Sequence, residues 1–304
     1  MTAAENTRAR STLHPGRLPW SVSVVIPARN AALSLPQQLD ALASQTYAGE
    51  WECIVADNGS RDGTVATATG WLNKVPSLQV IDASARRGAN FARNHGASRA
   101  RGEFIAYTDA DDVVTPGWLD GLVQEAIDFD MVGGALSVSA LNDPTIQQWR
   151  PRPPNELHRP FGWLPVAPGA SCAMWRYVVE QVPWNEEFPH GIQDIDFFWR
   201  AQLAGYALGF APSAVVETRY RTSMRSTARQ FFRYGKEQPR LYRRFKDEGL
   251  PRTSSKVAVL RWIWLVRRTP DLLRGSIRRG TWFRIAAYRA GRVWGSIRHR
   301  TVFL

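Results

Sequence analysis

Short apolar, β-branched runs alternate with amphipathic stretches over the first two thirds of the chain. Residues 21–26 read SVSVVI and stop at Pro27, which predicts a buried strand. Residues 33–46 place Leu35, Leu39 and Leu42 at helical spacing, with Pro36 admissible in the first turn. A second strand is predicted over 51–56, a helix over 64–72, a third strand over 78–81, a helix over 88–100 and a fourth strand over 104–108. Strands and helices alternating at this spacing predict an α/β fold with a parallel sheet. In such sheets ligands bind beyond the carboxyl ends of the strands. Three predicted strands run there into polar loops, at 27–30, 57–60 and 109–112, which would converge on one edge.

The pattern changes after residue 130. Residues 131–138 predict another strand. Seven prolines mark 143–168 as a long irregular excursion, the kind of segment that usually serves as a lid or substrate loop. Helices are predicted over 170–182 and 194–205, short strands at 207–210 and 215–216, and further helices from 226 onward. No internal repeat is apparent.

Composition sharpens this picture through charge. Residues 219–304 hold 23 Lys and Arg against four Asp and Glu, whereas 1–218 hold 16 against 23, so the net +12 is confined to the last third. The first two thirds are therefore no basic nucleic-acid platform, and the split suggests an acidic functional domain joined to a cationic interaction element. Two isolated cysteines, Cys53 and Cys172, argue against zinc and against a disulfide framework. No apolar run reaches the roughly 18 residues that span a bilayer. Residues 1–17 are polar and Arg-dotted, which predicts a disordered leader and argues against a secretory signal.

The candidate chemistry lies in the strand-end loops. Asp109, Asp111 and Asp112 crowd three carboxylates into four residues, an arrangement that a cation or protons must compensate. Mg²⁺ and Mn²⁺ are held by such carboxylates together with substrate phosphates, although Asp also serves simply as a turn and helix-cap residue. Asp57 and Asn58 offer an acceptor and a donor to the polar edge of a base or ribose, or else form an ordinary turn. Pro27, Arg29 and Asn30 give a rigid backbone, a cation and an amide. Arg93, in a segment bounded by Gly88 and Gly96, suits a diphosphate or is a solvated helix charge.

Together the segments Val24–Asn30, Ile54–Thr64, Gly88–Gly96 and Gly102–Asp112, followed by 184–188 and 193–200, resemble the family 2 glycosyltransferases, in their order and spacing over residues 20–220. The resemblance implies a GT-A fold, Rossmann-like, with the basic helical extension following it. The implied domains are 18–218 for the transferase and 219–304 for the extension. It further implies inverting transfer of a sugar from a nucleotide-diphosphate donor with Mn²⁺ or Mg²⁺ as cofactor. Asp57 and Asn58 would hold the nucleoside, with Pro27, Arg29, Asn30, Arg93 and Asp109 completing the donor site. Asp111, with Asp109, would hold the metal. Asp194 would be the catalytic base, with its helix-cap role as the competing reading. Asn58 and Gln193 depart from the acidic residues common in the family, and Glu217 falls near a position where relatives place a further metal ligand.

The acceptor region is the least legible. Trp163, Ser171 and Gln193 are candidates, since aromatic faces suit sugars. In the last third, Trp-bearing basic stretches at 257–266 and 282–298 fit an anionic membrane interface. Plain packing on the acidic domain and, less well, nucleic-acid binding are the rivals. The expectation is a cytoplasmic enzyme, peripheral at the inner face of the cell membrane, acting on a glycan or lipid-linked acceptor in envelope or polysaccharide synthesis. A nucleotidyltransferase and a non-catalytic sugar- or lipid-binding protein are the alternatives.

Overall fold

The computed structural model describes residues 16–188, 191–252 and 254–303; the leader read at 1–17 lies almost entirely outside them. The first half is β1 (Ser21–Ala28), α1 (Leu35–Ala43), β2 (Glu50–Asp57), α2 (Thr64–Thr69), β3 (Gln79–Asp82), α3 (Ala89–Arg99) and β4 (Phe104–Tyr107). These strands pair in parallel in the order β3-β2-β1-β4. β1 lies between two neighbours, with α3 packed against it. Val22, Val24, Val25 and Ile26 are all buried, which explains why this strand reads as a near-continuous apolar run.

After β4 come β5 (Val113–Val114), α4 (Trp118–Glu125), β6 (Met131–Ser137), α5 (Pro144–Gln147), β7 (Cys172–Trp175), α6 (Arg176–Gln181), α7 (Gln193–Leu203) and β8 (Leu208–Glu217). They extend the same sheet as β4-β7-β6-β8-β5. The helix expected over 170–182 is in fact a strand followed by a short helix. Residues 172–175 are inserted antiparallel between β4 and β6, with Trp175 opposite Phe104 and Met174 opposite Met131, and this tertiary pairing overrides local propensity. The two short strands expected at 207–210 and 215–216 form one strand, β8, interrupted by a bulge opposite Gly134 and Ala135. Cys53 and Cys172 are buried and unpaired on β2 and β7.

The proline-rich excursion is not an open lid. Trp149, Trp163, Leu164 and Val166 are buried, and His158 bridges to Val166. The indole of Trp163 packs edge-on against Trp199, with ring centroids 4.7 Å apart, and against Phe245.

The cationic last third consists of α8 (Met224–Phe245), α9 (Ser255–Arg267) and α10 (Ser276–Arg298). α8 begins with a capping box between Ser223 and Ser226. α8 and α10 approach so closely that a Cβ at Gly235 or Gly291 would strike the facing backbone. Leu241 and Phe245 of α8 join the main core, and Phe303 stacks on Tyr242 and meets Phe161 edge-on. Asp196 of α7, fully buried, pairs with Arg200 at 2.8 Å and with Arg244 of α8 at 3.4 Å. α8 is thereby fastened across the carboxyl edge of the sheet. α9 is different: Val259, Leu260, Ile263, Trp264 and Val266 are exposed on it. Among the described residues, no helix is long and apolar enough to cross a membrane.

Candidate active site

Parallel register carries the ends of β1, β2 and β4 to one edge. Ala28 lies opposite Asp57, and β4 releases the chain two residues before Asp109. The loop after β1 turns at Asn30, whose φ of 51° is left-handed, a conformation Asn tolerates better than most residues. Its N–H donates to Ser60 Oγ at 2.9 Å, and its Oδ1 accepts from the Arg61 N–H at 2.9 Å. Asn30 therefore ties the first loop to the second. Pro27, Arg29 and Asn30 line a cleft of about 660 Å³, together with Arg93, Asp109, Asp111 and Gln193. Of the residues predicted from sequence, these seven are the ones brought together on that cleft.

Asp57 lies at the end of β2, nearly buried. Its Oδ2 accepts from the Ser60 N–H at 3.1 Å, while Oδ1 is buried with no partner among the described residues. An orphaned buried carboxylate oxygen is costly and fits an incoming donor. Asn58 differs. Its amide donates to Ala83 O at 2.6 Å and Arg86 O at 2.8 Å, and its Oδ1 accepts from the Gly88 N–H at 2.9 Å. All three interactions shape the 83–88 loop, so the side chain read as a donor to the nucleoside is already occupied by the backbone.

One carboxylate oxygen from each of Asp109, Asp111 and Asp112 lies within 4.8 Å of the other two. Burial, and then the charge of Asp109, raises the Asp111 carboxyl above its ordinary range. Asp112 is raised further, by burial and by both neighbours. Three hard oxygen donors that repel one another are a fit for a small divalent cation. The loop is held from behind by residues that sequence reading did not single out. Gln38 of α1, wholly buried, donates to Thr108 Oγ1 at 2.8 Å and accepts from the Val114 N–H at 3.0 Å. Arg219 donates from its backbone N–H to Asp112 Oδ1 at 2.9 Å and from Nε to Asp111 O at 3.1 Å. A lone polar residue on the apolar face of a helix, as Gln38 is, was the available signal for the first. Arg219 carries none.

Arg93 is buried on α3. Its Nη2 meets Asp109 Oδ1 at 2.8 Å, and its guanidinium lies over Trp184, 4.9 Å from the ring centroid. Asp194 stands at the start of α7, half-buried, with Oδ1 accepting from the Ile195 N–H at 2.9 Å. Burial raises its carboxyl, and the charge of Arg93 partly opposes the shift. Gly169 fits between the two: a Cβ there would lie 3.5 Å from Arg93 and 3.8 Å from Asp194.

Asp57, Asn58 and Asp194 are not among the residues lining the cleft, and neither are three further candidates. Trp163 is in the core, as described above. Ser171 is fully buried and accepts from Trp118 Nε1 at 3.0 Å. Glu217 accepts from the Ala140 N–H at 3.0 Å and is not part of the acidic cluster found among the described residues. Conversely, α8 brings Arg229, Gln230, Arg233 and Tyr234 to the cleft, and the segment before it brings Arg221, none of which was expected there. Arg229 and Arg233 are spaced i, i+4, a visible pattern, but the face they present is decided by how α8 docks.

A Rossmann-like sheet carrying an acidic strand-end loop and a nucleotide-sized cleft at its carboxyl edge defines a GT-A glycosyltransferase. The chain belongs to glycosyl transferase family 2, whose family model matches residues 23–182. It is 31% identical over 201 residues to glycosyltransferase AglE of Haloferax volcanii, covering 64% of this chain and 65% of that protein. It is 26% identical over 252 residues to the pre-mycofactocin glycosyltransferase of Mycobacterium tuberculosis, covering 80% of this chain and 52% of that one. The chain thus spans about half to two thirds of the length of these relatives. Among solved structures, the mannosyltransferase PcManGT from Pyrobaculum calidifontis, in complex with GDP-Man and Mn²⁺, superposes with a TM-score of 0.67 at 19% identity, over 96% of this chain and 92% of that one. S. aureus TarS 1-349 in complex with UDP-GlcNAc gives 0.52 at 16% identity, over 93% of each chain.

Proposed function

We propose that the protein transfers a sugar, with inversion, from a nucleotide-diphosphate donor to a hydroxyl of a lipid-linked or glycan acceptor in cell-envelope or polysaccharide synthesis. The reading is supported by the acidic loop on the cleft, by Asp194 close enough to Arg93 and Asp109 to feel their charges, and by the orphaned Asp57 oxygen at the neighbouring strand end. Asp57 Oδ1 would accept an N–H from the base. Asp109 and Asp111 would hold Mn²⁺ or Mg²⁺, which supplies Lewis-acid stabilisation of the departing diphosphate. Arg93 would keep Asp109 oriented. Asp194 would take the proton of the acceptor hydroxyl as its oxygen bonds to the anomeric carbon and the bond to the diphosphate oxygen breaks. A single carboxylate acting as base, with no second one assigned as nucleophile, accords with direct displacement and inversion.

A panel of nucleotide-sugars with Mn²⁺ tests the donor assignment. One member should raise Tm by several degrees and then release its nucleoside diphosphate when acceptor is added. Release of pyrophosphate would favour nucleotidyl transfer instead. No shift with any member would favour a non-catalytic binding protein.

The same reading places the enzyme at the cytoplasmic face of the membrane, held peripherally. Support comes from α9, where the exposed Val259, Leu260, Ile263, Trp264 and Val266 alternate with Lys256, Arg261, Arg267 and Arg268. The full chain should float with anionic vesicles at low salt and be released near 1 M salt, where the Debye length falls to about 3 Å. Val266→Asp should weaken flotation. Indifference of the intact protein to anionic vesicles would end the membrane assignment.

A further inference from the structure

Arginine is almost never fully buried unless an anion is paired with it. Arg289 of α10 breaks that rule. It is 5% exposed, and its Nε is buried with no partner among the described residues. The titratable groups that face it are the guanidinium of Arg261 and the phenol of Tyr288, and neither is an acid that could neutralise it. Burial, and then the charge of Arg261, push its pKa below the ordinary arginine range. Holding the charged form there is costly while the site is empty.

Arg289 lines a groove of about 660 Å³ among α8, α9 and α10, with Arg261 and Arg284 beside it and Phe231, Leu260 and Trp264 forming apolar walls. No carboxylate lines this groove, and none of its residues lines the catalytic cleft. Arg284 is oriented by donation from Nε to Trp149 O at 2.8 Å and by its position over Phe231, 5.1 Å from the ring centroid. Leu260 and Trp264, one turn apart on α9, are 63% and 41% exposed. They also belong to the exposed apolar face of that helix, so the groove opens beside it.

We propose that this groove binds one anionic membrane phospholipid as a resident ligand, not a substrate, its phosphate held by Arg289, Arg261 and Arg284 and its chains lying along Leu260 and Trp264. The inference goes beyond the transferase reading, and it rests on the membrane assignment only for the source of the lipid. Guanidinium groups recognise phosphate oxygens by charge-assisted hydrogen bonds. A free phosphate would leave the apolar walls unused, and a zwitterionic lipid would bring its own cation to a site that already holds three.

The test is calorimetric and uses the full chain with short-chain lipids kept below the concentration at which they form micelles. Dihexanoyl phosphatidate should bind once per chain and saturate. Dihexanoyl phosphatidylcholine should bind about tenfold more weakly or worse, and inorganic phosphate more weakly than phosphatidate. Arg289→Met replaces the guanidinium with an apolar chain, so it should weaken phosphatidate about tenfold or more and leave phosphatidylcholine unchanged. Its lipid-free Tm should be unchanged or higher, because an uncompensated buried charge has been removed. Arg289→Lys should recover part of the affinity. Two exposed positions give variants that do not depend on repacking α10. Arg261→Ala should weaken phosphatidate alone, and Leu260→Asp should weaken both lipids.

Phosphatidate binding no tighter than phosphatidylcholine would overturn the inference. So would a lower lipid-free Tm in Arg289→Met with phosphatidate affinity retained, since Arg289 would then be a structural residue. Inorganic phosphate binding as tightly as phosphatidate would remove the lipid from the groove. Flotation of the intact protein with anionic vesicles but no preference for phosphatidate would overturn the site and leave the membrane assignment standing. Saturable phosphatidate binding without flotation would support the site and strike the membrane assignment.

Discussion

Asp194→Asn should lower kcat by about 100- to 10,000-fold while donor affinity stays near that of wild type. The amide keeps the shape of the side chain and can still accept the Ile195 N–H at the start of α7, so the helix start is preserved. What is lost is the proton acceptor, whose contribution arises as the acceptor hydroxyl attacks. The pH profile gives a second readout. Burial raises the Asp194 carboxyl above the ordinary Asp value of about 3.9. The active form is the carboxylate, so the acid limb of kcat should lie above that value, activity falling as pH drops through it. In Asp194→Asn the residual rate should lose this limb. A drop in donor affinity matching the drop in kcat would make Asp194 a binding or structural residue. Asp196, two residues on, is the contrast: fully buried and paired with Arg200 and Arg244, it fastens α8 to α7, so Asp196→Asn should lower Tm.

The parts of the site that could be read in the sequence are those that lie at strand ends. Residues 21–26 form a strand buried on both faces, and that produces an unbroken apolar run. Where such a run stops at Pro27, Asp57 or Asp109, parallel pairing alone delivers the loop to the shared edge. β7 hid from the same reading because Cys172–Trp175 is short and becomes a strand only through its neighbours, Phe104 on one side and Met131 on the other. Trp163 reads equally as a sugar platform and as a core residue, and the choice is made by Trp199 and Phe245, which come from elements far along the chain. Asn58 has the right chemistry at the right strand end, but its amide is consumed by Ala83, Arg86 and Gly88. The arginines of α8 are legible in the sequence as charge, but their place at the cleft is not. Their position over the cleft depends on the Asp196–Arg244 pair and on Leu241 and Phe245 entering the core, contacts that no local pattern encodes.

Asp111→Asn should abolish turnover and, with it, stabilisation by Mn²⁺, without unfolding the protein. In the wild type, a cation that binds only the folded state raises stability by about 2.7 kcal/mol when present at 100 times its dissociation constant. An amide in place of a hard anionic oxygen weakens that binding, so Mn²⁺ should shift the Tm of Asp111→Asn little or not at all. The metal-free proteins should differ in the opposite direction. Burial and the charge of Asp109 raise the Asp111 carboxyl in the folded state. A group raised on folding costs stability once pH passes its unfolded value, and the full cost is present above the folded value. At neutral pH the carboxylate is therefore a burden on the empty site, and replacing it with Asn should leave the metal-free Tm unchanged or higher. Arg219 and Gln38 hold the loop through backbone groups and through Asp112 and Thr108, contacts the substitution does not touch. Lost activity, lost response to Mn²⁺ and an undiminished metal-free Tm together identify a metal ligand. A lower metal-free Tm would identify a structural residue instead. Undiminished activity in excess EDTA, or a Mn²⁺ shift in Asp111→Asn equal to that of the wild type, would remove the cation from the acidic loop.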